Sequence, residues 1–509
     1  MARWEETRIA RLALARSAAL GISRLRLTRA PAIRGLAFFL WEKRWFLIAL
    51  GIGAALLAMP APESLSRDGW ITMIMSIVAI VLFVTEPVPL PTVALMIIVG
   101  QVLLLELDST TVAKSLMNDS VLFIMGSLML AVAVVKQNFD KRVAYVIVRA
   151  TGTKTFNVCV GISVVSGLLA SIIGEHTVAA MMLPVAITLI TLTSDDPRKV
   201  RRLAAVLLFS ISYGCSIASI GTPSGGARNA IMIGYWKEFF FDPTNPETYK
   251  YLVDYVTWVK YCYPVFLVQL PFVTAMLFLT FRPEYANIAR AVVKLRSQIE
   301  EGGPMGANDW LAIVLFLLTL VGWVFFSDTV GLGTVAICGS ISFLAFGLVR
   351  WEDINSGVNW GVVLLYAAAI SLGVEMQQTG AALWVATSFL DVMAPLGVEH
   401  GVPLWTAVST LTAGVTNTMS NGAAVAVVGP ITLKLADAAG ESPLVIGFIT
   451  AISSAFAYLT VIGTPACTIV YSSGYLKPTD FLKVGYRMVV VSTVILILAA
   501  YFYWPLLGS

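Results

Sequence analysis

Residues 174–184 read GEHTVAAMMLP, and residues 420–430 read SNGAAVAVVGP. Each stretch lies inside a long apolar region, opens on small or polar residues and closes on a proline at its eleventh position. In the first, Glu175 and His176 stand side by side, and His176 is one of only two histidines in the chain. An ionisable residue at bilayer depth is costly and marks a functional candidate by default. How these two stretches relate decides how the chain is read.

Composition sets the class. The 509 residues are 58% apolar and 13% charged, with a mean hydropathy of +0.83. Soluble domains carry about 25% charged residues, so the chain is an all-α polytopic membrane protein. A spanning helix needs about 20 mostly apolar residues. Clear spans cover 43–60, 70–86, 89–106, 120–136, 256–280, 310–326, 332–349, 360–376 and 484–505. Regions 154–236 and 403–475 are apolar but interrupted by GTPSGGARN (221–229) and IGTPAC (462–467). No run of short alternating segments suggests a barrel. The five cysteines form neither a CxxC pair nor a disulfide framework.

Charge orients the spans. Eight arginines fall in the first 35 residues, and 136–154, 195–202 and 282–298 are also basic, whereas 60–69, 237–255 and 377–402 are not. The positive-inside rule places the N-terminus and the basic loops in the cytoplasm. Segment 1–40 reads as a basic amphipathic helix on anionic lipid, with no cleavable signal peptide. Region 154–200 then enters and leaves from the cytoplasmic side, and 403–442 dips in from outside. Both read as re-entrant hairpins, which need cover from protein or a water-filled cavity.

The halves repeat with opposite orientation. DSVLFIMGSLMLAVAVVKQNF (119–139) resembles NWGVVLLYAAAISLGVEMQQTG (359–380), the two tips follow, and Gly-Thr-Pro recurs at 221–223 and 463–465. Broken apolar segments at matching positions of inverted repeats are the best sequence pointer to a transporter's binding site. Their free N–H groups attract anions, and their unwound carbonyls coordinate cations. HExxH and GxSxG are both missing, and His176 has no second histidine nearby, so an enzyme is not expected. Energy must come from gradients, because no Walker motif and no soluble domain is present. Nucleic acid is not an expected partner.

On these hairpins, the Gly-Thr-Pro breaks and TPACTIVYSSG near the C-terminus, residues 40–505 resemble the divalent anion/sodium symporters, which carry citrate, succinate and sulfate. The resemblance implies about eleven spanning helices plus two hairpins, a homodimer and an elevator-type motion. It implies the following division: an N-terminal segment 1–40; scaffold helices 41–118; a first transport repeat 119–236, with hairpin 154–200 and broken helix 201–236; scaffold helices 237–358 with a cytoplasmic linker 282–309; a second transport repeat 359–475, with hairpin 403–440 and broken helix 444–475; and a last scaffold helix 476–509. It also implies secondary transport of a small dicarboxylate or sulfate-like oxyanion. Coupling would use sodium at one remaining site, with a sodium-independent exchanger or proton-coupled carrier as the alternative. The membrane would be a bacterial inner (plasma) membrane.

The family places Ser-Asn-Thr at each tip to hold substrate oxygens, with a hydroxyl five residues upstream in the sodium shell. Tip two keeps Ser420 and Asn421, has Gly422 for the threonine, and keeps Thr416 upstream. Thr416, Asn421 and the Gly463 carbonyl are the expected sodium ligands, hard oxygens suited to a small cation. Thr464 and Pro465 match the family's broken helix. Tip one reads Gly174, Glu175, His176, with Ala170 upstream, and the break that follows keeps Thr222 but carries Arg228. All these tip and break residues are expected to line the substrate site. Glu175 and Arg228 form a structural pair, or Arg228 replaces a sodium ion, or Glu175 or His176 carries a proton. Lys136 and Glu375 read as interfacial, His400 as surface, and Ser127 and Asn417 as either cavity-lining or capped.

Overall fold

The structure, a computed structural model, describes residues 43–137, 150–194, 196–300 and 306–508. Segment 1–40 and most of the basic loop 136–154 lie outside the described residues. In chain order the helices are α1 (Arg44–Leu57), α2 (Arg67–Thr85), α3 (Leu90–Leu104), α4 (Ser109–Ser115) and α5 (Asp119–Lys136). Then come α6 (Thr155–Ile173), α7 (Glu175–Thr193), α8 (Arg201–Ala218), α9 (Ala227–Phe240) and α10 (Tyr255–Thr280). Next are α11 (Ala289–Glu300), α12 (Ala307–Val330), α13 (Leu332–Ala345), α14 (Trp351–Gly357), α15 (Trp360–Gln378) and α16 (Ala381–Met393). The last are α17 (Gly401–Thr416), α18 (Asn421–Ala438), α19 (Pro443–Ser453), α20 (Pro465–Tyr471) and α21 (Pro478–Leu498).

Among the described residues, nine helices are long and apolar enough to cross a membrane. The two regions that resist division on sequence each resolve into four helices, α6–α9 and α17–α20. The breaks fall where the sequence supplies reasons. Gly174 turns between α6 and α7 at φ +85°, a conformation that glycine adopts without steric cost. Ser420 begins α18 with extended backbone, and its hydroxyl accepts from Ala423 N at 3.5 Å.

Unwound backbone at membrane depth must find partners. The Asn229 side-chain amide donates to Ser219 O (2.8 Å) and Thr222 O (2.7 Å), closing the break between α8 and α9. Trp258 Nε1 donates to Ile220 O in the same break at 2.8 Å. Asn417 serves the second break. Its amide donates to Phe456 O at 3.1 Å, and its Oδ1 accepts from Leu459 N at 2.8 Å. Its role is to staple the unwound chain.

Prolines inside helices leave carbonyls without their i+4 donor. Pro430 frees Ala426 O, and the Tyr235 hydroxyl donates to it at 2.8 Å. Pro264 frees Lys260 O, and the Tyr503 hydroxyl donates to it at 2.7 Å. The first of these ties α9 of repeat one to α18 of repeat two.

Helix α8 is buried from Leu203 through Ala218 and packs against α6, α7, α10 and α20. By contrast α12 presents exposed Leu317, Leu318, Phe325 and Phe326, as expected of a helix facing lipid. The start of the linker is pinned to repeat one. Glu284 accepts from Arg202 N and Leu203 N, both at 2.9 Å, capping α8. Thr155 N donates to Ala286 O and Ile288 N to Thr153 O, each at 3.0 Å. Lys136 meets Asp353 of α14 at 2.6 Å, and this hydrogen bond holds the Asp353 carboxyl below its usual range.

Candidate anion-binding site

Three helix N-termini converge at one point. Glu175 sits in the first turn of α7, Asn421 in the first turn of α18 and Arg228 in the first turn of α9. A first turn carries unpaired N–H groups and the positive end of the helix dipole. Asn421 Nδ2 donates to Glu175 Oε1 at 3.0 Å, so the residues that match across the two repeats touch each other. Arg228 Nη1 lies 3.8 Å from the same oxygen, an ion pair beyond hydrogen-bond distance. Ser219 completes the group: its hydroxyl donates to Ser216 O at 2.7 Å, lies 3.5 Å from Glu175 Oε2 and accepts from Arg228 Nη2.

All four residues are buried. An unpaired charge there would be severely penalised, and Glu175 and Arg228 neutralise each other. Arginine at a helix N-terminus opposes the dipole, so a nearby anion is required on two counts. The guanidinium is only partly satisfied, since Arg228 Nε is buried and makes no hydrogen bond among the described residues. A guanidinium with unused directed donors suits a carboxylate or another oxyanion.

The second tip carries a cluster of oxygens instead. Thr416 Oγ1 lies 2.9 Å from Asn421 Oδ1 and 2.7 Å from Ser454 O. The carbonyl beside Thr416 is therefore that of Ser454. The expected carbonyl donor, Gly463, packs against Ala457 and Thr460, and its N–H donates to Thr460 Oγ1 at 3.1 Å. The matching position in repeat one is Ala170, fully buried and without a hydroxyl.

The other expected residues divide. Thr222 Oγ1 donates to Ser171 O and lies 3.1 Å from Ser224 Oγ, so it braces the first break. Thr464 Oγ1 accepts from Cys467 N at 3.1 Å and caps α20, with Pro465 at its first position. These threonines hold the breaks in shape. His176 does not join Glu175 and Arg228. Its side chain is exposed and has no hydrogen bond or ion pair among the described residues. Adjacent residues of a helix do not face each other, so the sequence neighbours Glu175 and His176 point to different surroundings.

Three participants escape a reading of sequence alone. Ser219 stands just before the first break, but nothing in the pattern sets it apart from the serines around it. Ser454 acts through its carbonyl, which no side-chain pattern reveals. Tyr366 of α15 lies against Gly422, and only packing brings it there.

Comparison with known proteins identifies the family. The model of the sodium:sulfate symporter transmembrane region matches residues 40–509. A sodium-dependent high-affinity dicarboxylate transporter of Caenorhabditis elegans is 28% identical over 456 residues, covering 80% of this chain and 78% of the relative. The sodium-dependent dicarboxylate transporter SdcS of Staphylococcus saprophyticus is 22% identical over 473 residues, covering 87% and 88%. Among solved structures, the Alcanivorax borkumensis YdaH transporter aligns with a TM-score of 0.51 at 15% identity, covering 92% of this chain and 99% of its own. The Neisseria gonorrhoeae MtrF structure aligns with a TM-score of 0.53 at 12% identity, covering 91% and 94%. These two show a shared fold. With residues 40–509 matched by a single family model, the chain is a membrane transporter of the sodium:sulfate symporter family.

Proposed function

We propose that this chain carries a small dianion, a dicarboxylate before sulfate, by alternating access, and that it couples transport to one sodium ion. The observation that carries the reading is the asymmetry of the tips. Repeat two gathers the oxygens of Thr416, Asn421 and Ser454, a set that suits sodium. Repeat one has Ala170 where that hydroxyl would stand and sets Arg228 against Glu175 instead. Arg228 acts as the built-in cation of the first half. The substrate oxygens approach Arg228, Asn421 and Ser420 at the convergent helix ends. The dicarboxylate preference follows the relatives in Caenorhabditis elegans and Staphylococcus saprophyticus.

The two repeats form the moving body and the remaining helices its scaffold, in a homodimer whose N-terminus is cytoplasmic in a bacterial inner membrane. Uptake by reconstituted vesicles tests the reading, comparing succinate, citrate, sulfate and phosphate under imposed sodium or proton gradients. The expected result is sodium-driven succinate uptake with a Hill coefficient for sodium near one. Cooperative sodium dependence that survives Glu175→Ala would sink the built-in cation.

A second reading, exchange or proton coupling without sodium, is favoured by one contact. Glu175 Oε1 already occupies Asn421 Nδ2, a donor the substrate needs. An incoming anion that displaces this carboxylate leaves Glu175 to be neutralised by a proton. Uptake driven by a proton gradient alone would establish that scheme.

A further inference from the structure

We infer that Tyr366 supplies the substrate-binding hydroxyl that tip two lacks, and that Gly422 is small in order to admit it. The inference rests on the transport reading above and names one more residue of that site. Gly422 is buried, and a Cβ built there overlaps the Tyr366 ring and comes within 2.6 Å of its hydroxyl. Any side chain at 422, threonine included, is therefore incompatible with Tyr366 in this position. The two residues form a single packing choice: a large phenol from α15 and no side chain on α18.

The phenol enters the site hydroxyl first. Its hydroxyl end lies against Gly422, next in sequence to Asn421, which donates to Glu175 Oε1 at 3.0 Å. Ser420 Oγ already accepts from Ala423 N. The phenol O–H of Tyr366 is a donor suited to an anion held at these helix ends. A phenol used only to fill space needs no hydroxyl at the N-terminus of α18. Tyr366 also sits on α15, which packs against both α3 and α18.

Tyr366→Phe tests the hydroxyl alone, because ring and packing stay. Vesicle uptake of succinate and of sulfate is measured together with the thermal midpoint of detergent-purified protein, with and without each anion. A hydrogen bond to a charged group is strong, so KM for the transported anion should rise about tenfold or more. The midpoint without anion should hold, and the anion-induced rise should shrink. The reciprocal variant Tyr366→Phe/Gly422→Ala checks the packing choice. It should melt below Tyr366→Phe, because the alanine methyl meets the ring that remains. Wild-type uptake with Tyr366→Phe unchanged in KM for both anions overturns this inference and leaves the transport reading intact. A wild type that neither takes up nor is stabilised by any of the four anions overturns both.

Discussion

The two hairpin tips hold matching places in the halves of the molecule and use opposite chemistry. Tip two is neutral: a capping serine, an amide, a glycine that makes room for Tyr366, and a threonine hydroxyl against a backbone carbonyl. Tip one is charged: a glycine in the left-handed region, a carboxylate and an arginine brought from the first turn of α9. Yet Asn421 and Glu175, equivalent by alignment, meet at 3.0 Å, so both tips belong to one site. The two tips thus share a sequence frame and each opens a helix, while the side chains at those helix starts differ in chemistry.

The strongest way to break this comparison is to remove the arginine. Arg228→Met leaves Glu175 buried without its counter-charge, a loss of about 3–5 kcal/mol in stability. Transport should fall at least about a hundredfold. Glu175→Gln/Arg228→Met restores an uncharged interior, so thermal melts of the purified proteins should recover while uptake should not. Uptake by the double variant would make the pair structural and nothing more. The bland and the functional reading of Glu175 and Arg228 separate at that measurement.

Next in size is the oxygen cluster of tip two. Thr416→Val removes the hydroxyl shared between Asn421 and Ser454. Apparent sodium affinity in vesicle uptake should fall about tenfold or more, with the anion dependence at saturating sodium little changed. The complementary change sharpens the contrast. Ala170→Ser returns a hydroxyl to that position; if Arg228 stands in for a cation there, as proposed, the sodium Hill coefficient should stay near one. A coefficient moving toward two would show that the missing hydroxyl, and not the arginine, removed the second ion.

Much of this is legible in the sequence because bilayer physics leaves few choices. Apolar length marks six of the nine span-length helices among the described residues, whereas the expected spans 43–60, 89–106 and 332–349 hold helices of only 14 or 15 residues. The paired Gly-Thr-Pro breaks point to the candidate site, since polar interruptions at bilayer depth survive only where protein or a wet cavity covers them. Individual partners are harder. Arg228 and Glu175 are 53 residues apart in sequence, and only their burial in a common apolar setting points to pairing. The motif points to the Gly463 carbonyl, and the structure adds that of Ser454, which accepts from Thr416 Oγ1 at 2.7 Å and which no side-chain pattern could mark. Asn417 is ambiguous for the same reason, since its value lies in the backbone it satisfies. Tyr366 looks like an ordinary aromatic of a spanning helix until Gly422 is found beneath it.

The prolines that align the tips carry the comparison further. Pro430 frees the carbonyl of buried Ala426, which Tyr235 satisfies, whereas Pro184 frees that of exposed Ala180. Tyr235→Phe strands an acceptor at depth and should cost about 1–3 kcal/mol in a thermal or denaturant melt. Adding Pro430→Ala returns the helix N–H to that carbonyl, so the double variant should recover most of the loss. Pro184→Ala has no such coupling to Tyr235. Additive losses from Tyr235→Phe and Pro430→Ala would dissolve the link between the repeats.

The smallest effect belongs to the histidine of tip one. His176 neighbours Glu175 in sequence but is exposed and unbonded among the described residues, so His176→Ala should change stability by no more than about 0.5 kcal/mol. Its value is as a control on protons. A histidine can carry a proton, so a carrier role for His176 would make uptake depend on pH and would lose that dependence on substitution. With Glu175 and Arg228 as the working pair, the pH profiles of wild type and His176→Ala should superimpose. A profile flattened by the substitution would move the chemistry of tip one from the buried carboxylate to the imidazole beside it. The tip would then act as a switch at its exposed edge, and Arg228 would fall back to balancing a charge.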